Sequence, residues 1–191
     1  AEMQMRQYKI LREEMKFQRL GFGLVQVLKC SFRTLEEAES LSSFLANFFS
    51  DPEQVITGIS ELMVNAVEHG NLGISYDEKS ALMKEGSWKK EVDRRLNDPR
   101  WMDRTATVVF ERKENACYLQ ITDQGEGFSW KGFMEIDPSR AMHNHGRGIA
   151  MANVLSFDRL LYNEKGNQVT GMVRVQQKDT NGTSWNNQEL R

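Results

Sequence analysis

The sequence predicts an α+β fold, a two-layer sandwich whose mixed, mostly antiparallel sheet carries helices on one face. Residues 105–112 with 117–123, and 159–163 with 168–176, alternate as two β-hairpins turning at 113–115 and at Gly166 and Asn167. Two amphipathic helices precede them, opened at Thr34 and at Asp51-Pro52. At 191 residues the chain can form one domain with a real core and flanking elements.

Residues 1–20 are rich in helix formers, with apolar positions at Tyr8, Leu11 and Met15 and also at Met3, Ile10 and Phe17. Neither set makes a clean heptad seam, so a solvated linker helix and a signalling or dimerising coiled coil both stay open. The chain opens in what reads as mid-helix, so a fragment of a longer protein is expected. Residues 22–32 alternate as a strand. Thr34 and Glu37 then form a capping box, opening a helix with Ala38, Leu41, Leu45 and Phe48 on one face. The next helix starts at Pro52 behind an Asp51 cap and runs to about His69, where Gly70 supplies a stop. Its apolar positions run almost all round, interrupted only by Glu61, Asn65 and Glu68.

Residues 73–104 are polar and charge-balanced, with a second capping box at Ser75 and Glu78. They read as a helical insertion with helices over 76–85 and 88–96. Trp88 and Trp101 flank it, either pinning it to the domain or anchoring a partner. Because its charges nearly cancel, the insertion is expected to face a partner protein and to stay out of any phosphate site. Residues 149–155 form a short helix, and 178–191 a polar tail. The domain therefore spans 21–177, with 1–20 as a linker helix.

Composition excludes several function classes. A net charge of −2 gives no electrostatic reason to expect nucleic acid or an anionic membrane as partner. No apolar run approaches the roughly 20 residues needed to span a bilayer. With no secretory signal, Cys30 and Cys117 read as reduced core thiols, and the cytoplasm is the expected location. A dinucleotide fingerprint fails because Trp130 and Met151 stand where glycine is required, and a P-loop fails at Met172-Val173. His143 and His145 have no third ligand at metal-site spacing.

Three local patterns carry chemistry. Glu61 and Asn65 project from one helical face, a carboxylate and an amide among apolar neighbours that need partners there. Asp123 closes a strand ahead of Gly125, Gly127 and Phe128. A carboxylate there can accept a hydrogen bond from an exocyclic amine, and the glycines let backbone approach a ligand. Gly146, Arg147 and Gly148 lead into a helix, where backbone N–H groups and a guanidinium can bind an anion. Each pattern taken singly also fits a plain structural turn or a hydrogen-bonded helix contact.

In this order the three patterns resemble the N, G1 and G2 boxes of the GHKL ATPases, over roughly residues 25–177. The resemblance implies a fold of the GHKL (Bergerat) type and binding of ATP with Mg²⁺. It implies that Asn65 holds Mg²⁺, that Asp123 reads the adenine amine, and that Gly125 and Gly127 floor the base pocket. Gly146, Arg147 and Gly148 would wrap the phosphates, and Glu61 would be the general base. His69 falls where relatives carry a basic residue near phosphate, and Thr170 would line the adenine side.

Within the family, an acceptor histidine is lacking outside the ATP-binding region, which disfavours a complete histidine kinase; only a polar tail follows residue 177, which disfavours gyrase-like relatives. Ser31-Phe32-x-x-Leu35 before an amphipathic helix resembles the anti-sigma-factor serine/threonine kinases. That branch implies a serine- or threonine-bearing antagonist protein as substrate, a sigma factor as a further partner, and room for a homodimer. The 73–104 insertion departs from the small anti-sigma kinases and resembles domains fused to response-regulator receivers. A non-catalytic ATP-gated interaction module is the alternative, and the retained Glu61 favours the kinase.

Overall fold

The computed structural model describes residues 2–134 and 148–175. Gly146, Arg147, both of the later histidines and the 178–191 tail lie outside the described residues.

Five strands form one open sheet in the order β1-β2-β3-β5-β4: β1 (Val27–Phe32), β2 (Ala106–Arg112), β3 (Ala116–Thr122), β4 (Arg159–Tyr162) and β5 (Gln168–Arg174). Every pairing is antiparallel, so the expected mixed sheet is corrected to an antiparallel one among the described strands. Both predicted hairpins are present, and they join edge to edge where β3 pairs with β5. Strand alternation separates two faces. Phe32, Val108, Phe110, Leu119, Ile121, Val169 and Val173 are buried on one face, beneath the helices.

Two long helices supply the second layer: α2 (Leu35–Ala46) and α3 (Pro52–Asn65). The Thr34/Glu37 capping box is formed, with Glu37 N–H donating to Thr34 Oγ1 at 3.1 Å and Thr34 N–H to the Glu37 carboxylate at 3.0 Å. At α3, Gln54 N–H donates to Asp51 Oδ1 at 3.2 Å, and Pro52 occupies the first turn. Ala38 and Leu45 of α2 pack with Val55, Ile59 and Met63 of α3, all essentially solvent-free. Gly58 lets α3 approach Ser156 and Phe157, since a Cβ there would overlap the Ser156 side chain. Cys30 and Cys117 are both free thiols.

Three boundaries differ from the sequence expectation. The first helix, α1 (Glu2–Leu24), overruns residue 20 and absorbs Phe22, which was expected in a strand. Its ring packs edge-on against Phe44 and Phe48 at 5.7 and 5.0 Å, and this aromatic contact overrides the weak alternation. Gly70 does not stop α3. The chain continues as a π-helical turn over Ala66–Asn71, with Leu72 N–H donating to Val67 O at 2.9 Å, and the first positive φ is at Gly73. After the short α6 (Gly148–Met151), a second π turn covers Ala152–Ser156.

The insertion folds as α4 (Tyr76–Glu85) and α5 (Trp88–Leu96), within the predicted bounds. The Ser75/Glu78 capping box opens α4, and Gly86 at φ 69° ends it. Among the described residues, no helix is long and apolar enough to cross a membrane.

Candidate functional site

A cavity of about 540 Å³ lies between α3, its π turn, the start of the insertion, the β3–α6 side and the β4–β5 turn. Glu61, Asn65, His69, Asp123, Gly127 and Gly148 all line it, so the described parts of the three sequence patterns converge on one space.

Glu61 and Asn65 reach it from successive turns of α3, with Asn65 Nδ2 donating to Glu61 Oε1 at 3.3 Å. That bond occupies the amide nitrogen. It leaves Oδ1, the atom able to coordinate a hard cation, without a hydrogen bond among the described residues. Gly148 stands directly on Glu61, where any Cβ would overlap the carboxylate. The start of α6 therefore comes into contact with the Glu61 side chain only because residue 148 is glycine.

The π turn places the next two residues. One turn beyond Asn65, His69 Nδ1 lies 2.5 Å from the Ile74 carbonyl. Because a carbonyl can only accept, Nδ1 carries the proton and Nε2 is the nitrogen left for the cavity. Gly70 then packs on Asp123, and a Cβ at either Gly70 or Gly125 would overlap the other's surroundings, the Asp123 carboxylate and the Gly70 carbonyl respectively. Gly70 is therefore a close-approach residue and not a helix stop. Gly125, expected to floor the pocket, is corrected: it does not line the cavity but supports Asp123, with Gly125 N–H donating to Asp123 Oδ1 at 2.8 Å.

Asp123 is the electrostatically unusual group. Burial raises its pKa to about 6 against the help of the Gly125 N–H and of the Lys165 and Arg104 charges. The β4–β5 turn holds it from the other side. Asp123 N–H donates to Asn167 O at 3.0 Å, Asn167 Nδ2 returns a bond to Asp123 O at 3.1 Å, and Phe128 N–H reaches Lys165 O at 3.1 Å. Gly127 has φ 78° and no room for a Cβ beside that Lys165 carbonyl. Asn163 Oδ1 accepts from the N–H groups of Gly166, Asn167 and Gln168 at 2.7, 3.1 and 3.3 Å, fixing the turn that does the clamping.

Thr170 is corrected. Strand alternation sends it to the open face beside Gln120 and Leu161, away from the cavity, while Val169 takes the inner wall.

The structure also contributes residues that the sequence patterns did not single out. Tyr162 lines the cavity, stacked on Trp130 at 5.7 Å and edge-on to Phe128 at 5.5 Å, and Phe128 meets Phe133 at 5.6 Å. Burial, with the nearby Asp123 and Glu61 charges, raises the Tyr162 pKa, so the phenol stays a neutral donor. Glu68, one of the three polar residues that interrupt the apolar positions of the predicted helix, is fully buried in the π turn. Its carboxylate accepts from Lys79 Nζ at 2.5 Å and from Trp88 Nε1 at 2.6 Å. Trp88 thereby pins the insertion to the domain, and Trp101 is half-buried beside the Arg95 and Arg100 guanidinium groups at 5.0 and 4.2 Å. The insertion is not outside the site either, because Ser75, Tyr76 and Lys79 line the cavity. Only the placement of Glu68 beside two groups of α4 and α5 could have signalled this, and that placement is tertiary.

No protein-family model matches this chain, and no curated protein matches it either.

Proposed function

We propose that the domain binds ATP with Mg²⁺ in a GHKL-type (Bergerat) cavity and transfers the γ-phosphoryl group to a serine or threonine of a partner protein. The observation that supports this reading is the meeting of Glu61 and Asn65, Asp123, Gly127 and Gly148 around one cavity of about 540 Å³. That volume falls within the range of small-molecule and cofactor sites.

The residues suit a purine nucleotide at one end and its phosphates at the other. Asp123 offers Oδ2 to an exocyclic amine, its Oδ1 being held by the Gly125 N–H. The apolar walls at Ile121, Phe128 and Val169 suit a flat base. Asn65 fits Mg²⁺ through Oδ1, as expected for an ion that takes one or two protein oxygens and completes its shell from phosphate and water. When bound, Mg²⁺ supplies charge neutralisation on the phosphate oxygens. Glu61 removes the proton of the attacking hydroxyl as that oxygen bonds to the γ-phosphorus and the bond to the ADP oxygen breaks. The partner expected from the family resemblance is an antagonist-type protein of a partner-switching system, with a sigma factor as a second partner. The same cavity would equally serve a non-catalytic ATP-gated module, and Glu61 distinguishes the two.

Labelled ATP, calorimetry and serine-bearing candidate partners test this directly. Glu61→Ala is expected to abolish phosphotransfer while ATP affinity stays within a few-fold, and Asn65→Ala to impair both. A wild-type protein that binds ATP but phosphorylates no partner transfers the reading to the ATP-gated module. One that binds no ATP removes both.

A further inference from the structure

Among the described residues lining the cavity, Lys79 is the sole lysine or arginine, and it comes from the insertion. It sits in the first turns of α4, and side chains on a helix lean toward its N-terminus, here the cavity side where Ser75 and Tyr76 also lie. Its ammonium is held at 2.5 Å from Glu68 Oε2, with 17% of the side chain exposed and Glu68 wholly buried. A buried carboxylate must keep its counter-charge, so Glu68 fixes where the ammonium stands. One of the three N–H donors of Lys79 serves Glu68, leaving donors for a second acceptor.

We propose that Lys79 binds the phosphate chain of the nucleotide, with Glu68 as its positioning residue, so that the insertion is part of the ligand site. This rests on the nucleotide reading above and adds to it the group that recognises the polyphosphate. The buried Glu68 pair then has a dual use: it latches α4 and α5 to the end of α3 and presents a cation to an anionic ligand.

The test compares ATP with adenosine, both with Mg²⁺ present, by calorimetry on the full chain. Lys79→Met alone leaves a bare buried carboxylate, so the Glu68→Gln/Lys79→Met double variant accompanies it and keeps the site neutral. In the folded double variant, ATP affinity is expected to fall roughly ten- to a hundred-fold, the loss of one charge-assisted contact, while adenosine affinity stays within a few-fold. Unchanged ATP affinity, or equal loss for ATP and adenosine, overturns the role of Lys79 and leaves the nucleotide reading standing. Wild-type protein that binds neither ligand overturns both.

Discussion

At Asp123 the cost of burying a carboxylate can be read as a pH dependence. Its folded-state pKa of about 6 lies above the ordinary 3.8, so the native protein holds this proton over a range in which the unfolded chain has lost it. The stability contributed by the group is therefore full below about pH 4 and is lost as pH rises through about 6. Asp123→Asn removes the ionisation and keeps the shape. Its melting temperature is expected to match wild type near about pH 4 and to exceed it by a few degrees near about pH 8, read by circular dichroism. On the proposed nucleotide reading the same variant should also bind ATP more weakly, because an amide nitrogen can replace the acceptor that an exocyclic amine needs. A melting temperature that falls at every pH would contradict the assignment of burial as the dominant influence. Glu61, Asn65 and Asp123 were legible in the sequence because each sits in a short pattern whose spacing already sets its direction. Glu68, Lys79 and Tyr162 were not, since each acquires its role from residues far away in the chain.

The same division holds for elements. Capping boxes announced the starts of α2 and α4 because the caps are satisfied by neighbours three residues away. The π turn after Asn65 had no such local mark. Gly70 looked like a helix stop, yet its glycine is required by the approach of Asp123. The insertion was legible as two helices but not in its docking, which depends on Trp88 and Lys79 meeting one buried carboxylate. Trp88→Phe keeps most of the ring and removes one donor from Glu68 Oε1. The expected loss is about 1–3 kcal/mol of unfolding free energy, the cost of an unsatisfied buried acceptor. Denaturant titration would measure it. In the Glu68→Gln background the Trp88→Phe effect should shrink, since a neutral amide tolerates the missing donor better than a carboxylate does. Equal losses in both backgrounds would mean that Trp88 acts through packing alone.

Across the whole molecule, the α+β class and both hairpins followed from period-two alternation, while the wholly antiparallel arrangement depended on which edges meet, here β3 with β5. The core formed by the sheet, α2 and α3 draws nothing from most of α1. Met3, Met5, Tyr8, Ile10, Leu11, Phe17 and Leu20 are all exposed on that helix. Its C-terminal end meets the domain, where Arg19 and Gly23 border a small cavity with Phe48 and Arg112. Phe22 packs on Phe44 and Phe48, and the Arg112 guanidinium donates to the carbonyls of Phe22 and Val25 at 3.5 and 3.3 Å. A chain starting at Gly21 should therefore keep its fold and, on the proposed nucleotide reading, its affinity for ATP, with a melting temperature within about 4 °C of the full chain, the shift expected from about 1 kcal/mol in a domain this size. Sedimentation of the two chains side by side reads the second consequence. If the exposed apolar residues of α1 join two copies, the full chain will sediment as a dimer and the shortened one as a monomer, with the cavity unaffected in either. A shortened chain that fails to fold would instead show that α1 carries core stability, contrary to its exposure along nearly its whole length.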